Sequence, residues 1–437
     1  MGIDGLWNKL KGWPYIFKLV PFSSLKGYRV FIDASGLFFQ YRATARKQVI
    51  NSRDIITQPF DEREADEIWI RSCFNIVTQF MLSGIIPVLV FDGKASSLKW
   101  ECKKQRKEDK SSFRNEYNDI MTKSQNLRSI VTDKDDLDRA RTCLNALTDM
   151  TKELSDMIKN FFMGIGVPIL QCNEEAERLC AALVREGYGP ASLCEDGDGL
   201  AQECNILLRH ISDEEILVGN QYERSFEIVH LYDVLIICEV TMQQFREACV
   251  LAGCDYNRST KIDGIAFGSA LNKIKTYGSL DNMALYEDIT KINHKECLSL
   301  FENKPARDMI EYGFIDPKPY SDATVQCMNM FKMESYINKI QIALSIFTDI
   351  TPKQFIHRAL VPFNPLFIVD DSNQYSTLQG ITPKGLKEKG SLASRGRGRG
   401  GKGRGRGRGI VVSNHVSNNV SNHVSNHVSN TSFFIVD

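Results

Sequence analysis

Acidic residues in this chain stand where an α/β sheet would end its strands, and that placement limits what the chain can become. Asp33 closes the apolar run RVFID, and Asp92 closes IIPVLVFD. The stretch CNEEAERLCAALVREGYGPASLCEDGDG, residues 172–199, sets Glu175 and Glu177 two apart and Asp196 and Asp198 two apart, around an apolar helical segment and a glycine turn. Asp255 follows another apolar helix in CVLAGCDY. A carboxylate at the C-terminal end of a buried strand faces the crevice where open α/β sheets bind ligands. Several such groups in one place repel each other and resist burial unless cations neutralise them. The spacing therefore predicts that these seven acids gather around divalent metal ions.

Strands alternating with helical segments predict a mainly parallel sheet with helices on both faces. Strands are expected at Tyr28–Asp33, Ile85–Phe91, Val167–Leu170 and Ala191–Cys194, with Asn205–His210 and Phe226–His230 as extensions. Residues 1–27 read as an N-terminal arm anchored by Trp7 and Trp13, and residues 34–47 as a helix carrying Phe39, Arg42 and Arg46. One long helix is expected from Asp136 to Phe162, a capped helix at Thr241–Ala252, and helical structure over 280–365. A glycine-bearing turn from Gly264 to Gly268 suits a backbone whose amides approach a phosphate. Between the Asp92 strand and the long helix, Lys99–Lys110 concentrates six basic side chains. Alone this reads as a solvated helix, but its position directly after a site strand places it over the crevice.

The chain is formally neutral, with 54 basic and 54 acidic residues among 437. Residues 384–409 carry ten Lys or Arg and one Glu. With one further negative charge at Asp437, this leaves −8 on residues 1–383. An acidic globule with a basic Arg-Gly tail is the profile of a chain that meets a polyanion. The tail's RGRGRGGKGRGRGRG and Val-Ser-Asn-His repeats are too polar and glycine-rich to pack a core. The twelve cysteines form no CxxC pair, which argues against a zinc ribbon or disulfide framework and for a reducing compartment. No apolar run is long enough to span a bilayer, and MGIDGLWNKL lacks a signal peptide's apolar region.

Paired carboxylates with no nucleophile beside them point to cation-activated water. Hard cations take oxygen ligands and retain waters. Two of them ~4 Å apart can stabilise both oxygens of an in-line phosphoryl displacement. Each element is weak alone: an ExE on a helix is usually a solvated face, Asp255 could cap a helix, and Phe39 is more often core than a stacking partner. The ordered set is far more specific than its members.

In that order the motifs resemble the flap endonuclease/XPG-type structure-specific 5′-nucleases. MGIDGLW, VFIDAS, GIIPVLVFDGK, NEEAERLCAAL, CEDGD and LAGCDY are similar to the family's successive blocks, and IDGIAFGSA to its helix–hairpin–helix turn, over residues 1–280. The resemblance implies a PIN-like 5′-nuclease fold with a helical arch. It implies two magnesium ions per subunit, with manganese as a substitute, held by Asp33, Asp92, Glu175, Glu177, Asp196, Asp198 and Asp255. Lys99 and Arg106 correspond to catalytic cations at the arch base. Gly2, Phe39, Arg42, Arg46, Gly264 and Gly268 correspond to DNA contacts. It further implies branched or 5′-flap DNA as substrate, products with a 5′-phosphate and a 3′-hydroxyl, and a nuclear or viral replication compartment.

Two features depart from the family pattern. Ala266 stands where the hairpin's second glycine is expected, and Gly197 and Gly199 flank Asp198 where larger apolar residues are usual, which suggests a looser turn. Phe433-Phe434 makes a poor sliding-clamp motif because Asn430 takes the apolar position. The expected organisation is a nuclease region at 1–135 that includes the arch, a second nuclease region at 136–280, a helical extension at 281–370 and a disordered tail at 371–437. The rival readings are a 5′–3′ exonuclease or junction-cleaving relative, an RNA-specific nuclease of similar fold, and a non-catalytic binder using the tail to hold single strands or RNA.

Overall fold

The computed structural model describes residues 2–127, 134–348, 350, 352–353, 367–369 and 375–377. Met1–Lys384 cluster as one compact unit. The Arg-Gly tail, the Val-Ser-Asn-His repeats and Phe433-Phe434 lie outside the described residues.

The chain opens with helix α1 (Leu6–Leu10), then β1 (Lys18–Pro21), β2 (Arg29–Asp33), α2 (Ala34–Asn51), α3 (Glu62–Leu82) and β3 (Ile86–Phe91). The basic helix α4 (Lys99–Leu127) and α5 (Lys134–Ala146) follow, then α6 (Lys152–Gly164), β4 (Ile169–Cys172), α7 (Ala176–Arg185), β5 (Ala191–Leu193) and the one-turn α8 (Asp198–Ala201). A long hairpin, β6 (Ile206–Val218) and β7 (Gln221–His230), precedes α9 (Leu231–Cys238), α10 (Met242–Ala252) and α11 (Phe267–Tyr277), and β8 (Ile310–Phe314) comes late. Residues 367–369 and 375–377 pair as a separate antiparallel ribbon.

The sheet order is β1-β7-β6-β5-β2-β3-β4-β8. The pairs β6–β5, β5–β2, β2–β3 and β3–β4 are parallel, while the three outer pairs are antiparallel. Successive residues of a strand point to opposite faces. Phe31, Val88 and Val90 therefore pack with α7, α10 and α11 on one side. Val30, Ile32, Leu89 and Phe91 pack with α2, α3 and α6 on the other. All six residues of β3 are buried, as expected of a strand covered on both faces. Chain order runs outward from β2 in both directions, so the crevice at the C-terminal ends of β2, β3, β4 and β5 is a topological switch point.

Four expectations change. The helix expected from Asp136 to Phe162 is two, because the Thr151 side chain accepts a hydrogen bond from the Leu154 amide and starts α6 afresh. The strand expected at Val167–Leu170 lies two residues later. The N-terminal arm contains an edge strand, β1, paired with β7. The helical region at 280–365 contains β8, paired with β4.

Candidate active site

Each acid reaches the crevice by a different local device. Asp33 ends β2 and caps α2, with its Oδ1 accepting from the Gly36 amide at 3.1 Å. Asp92 follows β3, and its Oδ1 accepts from the Ala176 amide at 2.8 Å, at the start of α7. A carboxylate at a helix N-terminus meets unpaired amides and the positive end of the helix dipole. Glu175 immediately precedes α7, without a side-chain capping bond, and Glu177 lies in its first turn. Asp196 follows β5 and Asp198 begins α8. Asp255 follows α10.

The seven groups share one field. Burial first, then repulsion from Asp92 and Asp196, raises Asp33 to about 7. Burial and then Asp255, with Asp196 and Glu175 adding, raises Asp198 to about 7. Glu177 is held well above the usual carboxylate range by burial and then by Asp198, with Asp196 and Glu175 contributing. The structure therefore brings together the whole set that the sequence singled out. Glu175 and Glu177 are not a solvated face: an oxygen of each is buried.

Helix α4 closes the crevice with Lys99 and Arg106, on one face seven residues apart. Lys99 Nζ is 2.8 Å from Glu175 Oε2 and 3.8 Å from Asp255 Oδ2. Burial opposes the Lys99 charge, but Glu175, Glu177 and Asp255 outweigh it and lift its pKa above the ordinary lysine value. Arg106 donates to both Asp255 oxygens at 3.2 Å. Asp92, Gly93, Lys99, Arg106, Glu175 and Asp255 help line a cavity of about 190 Å³.

Sequence reasoning missed three residues here. The Tyr256 hydroxyl donates to Glu175 Oε2 at 2.8 Å, and Arg258 lies 3.8 Å from Asp255. Gly93 is sterically required: a Cβ there would sit 2.2 Å from the Cys172 carbonyl oxygen and 2.5 Å from the Asn173 carbonyl carbon. The FDGK and CDY motifs contained Gly93 and Tyr256, but a spacing argument directed at carboxylates passed over them.

The metal expectation can be tested on the oxygens themselves. Glu175 Oε1, Glu177 Oε1 and Asp198 Oδ1 are buried and have no hydrogen-bond partner. An orphaned buried carboxylate oxygen is costly, and a cation is the partner it suits. Among the described residues no three His, Cys, Asp or Glu form a ready-made ligand cage. A hard cation that keeps several waters needs only one or two direct carboxylates, so the residues fit magnesium better than a dehydrated ion.

Of the expected DNA contacts, Gly2 lies at the acids: a Cβ on it would be 3.3 Å from Asp198 Oδ1 and 3.4 Å from Asp196 Oδ1. Phe39 is half-buried on α2. Gly264 has φ +77° with nothing near its missing Cβ, which leaves the turn's backbone open, and Gly268 lies in the first turn of α11. Ala266 is extended at φ −104°, ψ 171°, a conformation that needs no glycine. Gly197 and Gly199 are buried rather than loosely exposed, and a Cβ on Gly197 would meet Leu6 at 2.5 Å.

Arg42 and Arg46 are the correction. They are 5% and 4% exposed. Arg42 pairs with Asp66 and Glu62 and donates to the Asp149 carbonyl at 3.0 Å. Arg46 pairs with Glu62 and donates to the Thr148 hydroxyl and the Leu144 carbonyl, each at 3.2 Å. Their donors join α2 to α3 and to the end of α5, so they brace the arch instead of meeting DNA.

The family profile described as XPG N-terminal domain matches residues 1–113, and that described as XPG I-region matches residues 166–255. Flap endonuclease 1 of Xiphophorus maculatus is 29% identical over 75% of this chain and 82% of its own length. Flap endonuclease 1 of Entamoeba dispar is 29% identical over 71% and 78%. The solved flap endonuclease-1 of Methanococcus jannaschii has the same fold, with a TM-score of 0.50 at 17% identity over 75% of this chain and 96% of that one. Both profiles fall on the segments that carry the crevice acids, so in sequence and in fold the chain is similar to the flap endonuclease/XPG nucleases.

Proposed function

We propose that this protein is a magnesium-dependent 5′ nuclease that cuts branched DNA, a 5′-flap endonuclease with accompanying 5′-exonuclease activity, in replication or repair. The observation that carries the reading is the set of three orphaned carboxylate oxygens, on Glu175, Glu177 and Asp198, within one field of seven acids.

Bound magnesium, two ions per chain with manganese as a substitute, supplies an activated water and positive charge for in-line displacement at phosphorus. The chain's own residues do the rest. Asp33, Asp92, Glu175, Glu177, Asp196, Asp198 and Asp255 hold and space the positive charge. Lys99 and Arg106 exchange their carboxylate partners for the scissile phosphate and offset the charge that builds there. Phe39 packs against the terminal base, Gly2 lines the acid-rich end of the crevice, and the open turn from Gly264 to Gly268 offers amides to a duplex phosphate. The products carry a 5′-phosphate and a 3′-hydroxyl, and the site of action is the nucleus.

Flap, nicked, gapped and four-way DNA should be offered side by side, with magnesium or with a chelator. Cutting of the 5′-flap first, and only with magnesium, is expected. Preference for a four-way or blunt-ended substrate would move the assignment to a junction-cleaving or exonuclease relative. No cutting of any substrate would overturn the nuclease mechanism.

A further inference from the structure

Residues 2–6 touch three parts of the site at once. Gly2 lies against Asp196 and Asp198, and Leu6 Cδ2 sits 2.5 Å from where a Cβ on Gly197 would be. The Asp4 amide donates to the Gly253 carbonyl at 3.0 Å, two residues before Asp255. The Asp4 carbonyl accepts from the Phe267 amide at 2.9 Å, inside the turn from Gly264 to Gly268. Lys261 crosses the open face of Gly253, with its Cδ 3.1 Å from the position of the missing Cβ, and pairs with Asp4. Those two side chains are 33% and 42% exposed, so the pair adds little by itself and the backbone contacts carry the connection.

The tightest point is between Gly5 and Ala266. Gly5 has φ +75°, and a Cβ on it would stand 2.9 Å from the Ala266 Cβ and 3.3 Å from the Phe267 amide nitrogen. Two backbones approach this closely only where one residue lacks a side chain. Ala266 stands where the turn's second glycine is expected, and its methyl is the atom that meets Gly5. A phosphate that fixes the turn therefore fixes Ala266 and Phe267, and through them Gly5 and Asp4. Ordering those residues also orders Gly2 beside Asp196 and Asp198 and the end of α10 ahead of Asp255. A cation that arrives afterwards meets acids whose backbone is already set, and it loses less conformational freedom on binding.

We propose that residues 2–6 are positioning residues that couple duplex held at the 264–268 turn to cation binding by the acids, with the Gly5–Ala266 contact as the joint. The proposal rests on the duplex and cation reading above and adds to it a path between the two. Coupling of this kind is reciprocal, so duplex tightens the cation site by the same factor as the cation tightens duplex.

The test uses the full chain and a duplex closed by a loop at each end, which offers no 5′ end or flap to cut. Manganese binding with and without this DNA is read from the electron paramagnetic resonance of the free ion, less the ions that the DNA takes alone. The parent should bind manganese about fivefold more tightly, or better, with duplex present. Ala266→Gly opens the joint and should lose part of that gain. Gly5→Ala forces the joint apart and should lose most of it. Gly5→Ala combined with Ala266→Gly puts the methyl on the other side of the same contact and should regain most of the loss. In chelator, Gly5→Ala should bind duplex within about twofold of the parent, because the coupling needs both ligands. On a 5′-flap it should lower kcat and leave KM nearly unchanged. Cooperative thermal unfolding shows which variants fold, and if Gly5→Ala does not, Ala266→Gly against the parent decides.

No gain from duplex in the parent, or the full gain retained by Ala266→Gly and Gly5→Ala, would overturn the proposal even if cleavage is normal. Duplex affinity that falls in chelator as far as the manganese gain does would overturn it too, since residues 2–6 would then only shape the turn. A gain that the joint variants abolish, in a chain that cuts nothing, would uphold the coupling and sink the nuclease mechanism.

Discussion

Lys99 Nζ lies 2.8 Å from Glu175 Oε2, so the arch neutralises a carboxylate assigned to metal binding. The same nitrogen is 3.8 Å from Asp255. A cation and Lys99 therefore compete for the same acids. Lys99→Met should bind magnesium several-fold more tightly in the absence of DNA, as read by calorimetry. It should nevertheless cut a flap about a hundredfold more slowly in a single turnover, because positive charge at the phosphate is lost. Unchanged magnesium affinity would show that Lys99 does not compete.

The protonation of the acids should follow cation binding. Asp33 and Asp198 are raised to about 7 by burial and by their neighbours, and Glu177 is raised too. The folded state thus holds protons that the unfolded chain, titrating near the ordinary carboxylate values of 3.8 and 4.5, has released. Stability from these groups is complete below the unfolded values and is lost as pH rises through about 7. In chelator the thermal midpoint should fall between pH 5 and pH 8, and magnesium should reverse the fall. A midpoint insensitive to both pH and magnesium would contradict a buried, cation-seeking cluster.

Arg46→Ala should act on stability. It removes donors to Thr148 and the Leu144 carbonyl, both in buried contacts, at a cost of about 2–3 kcal/mol by urea denaturation. Its partner Glu62 is 53% exposed, so the ion pair itself adds little. The salt dependence of DNA affinity should match the parent's. A slope reduced by one phosphate contact would return Arg46 to the DNA surface.

Gly93→Ala should force the ends of β3 and β4 apart, since its Cβ would meet backbone at 2.2 Å. Overpacking of this kind costs about 1–3 kcal/mol. Because Asp92 is the preceding residue, cleavage should fall more than stability does. Parent-like cleavage in a folded Gly93→Ala chain would show that this close approach does not position Asp92.

Much of this was legible in the sequence, for physical reasons. Asp33 and Asp92 end apolar runs that can only be buried strands, and Glu175, Glu177, Asp196 and Asp198 keep a spacing that a helix and a strand convert into convergence. The turn between α10 and α11 was legible from its glycines. β1 and β8 were not. Both are short edge strands whose pairing partners are far away in the chain, and β8 is largely exposed. Arg42 and Arg46 read as surface cations because the acids that bury them, Glu62 and Asp66, belong to a separate helix.

The most direct test of the central claim is single-turnover cleavage of a 5′-flap duplex by Asp198→Asn, with DNA affinity measured on the same preparation. The account predicts affinity within a few-fold of the parent's and cleavage slower by about a hundredfold or more in saturating magnesium. Cleavage at the parental rate, or cleavage and affinity lost in equal measure, would contradict it.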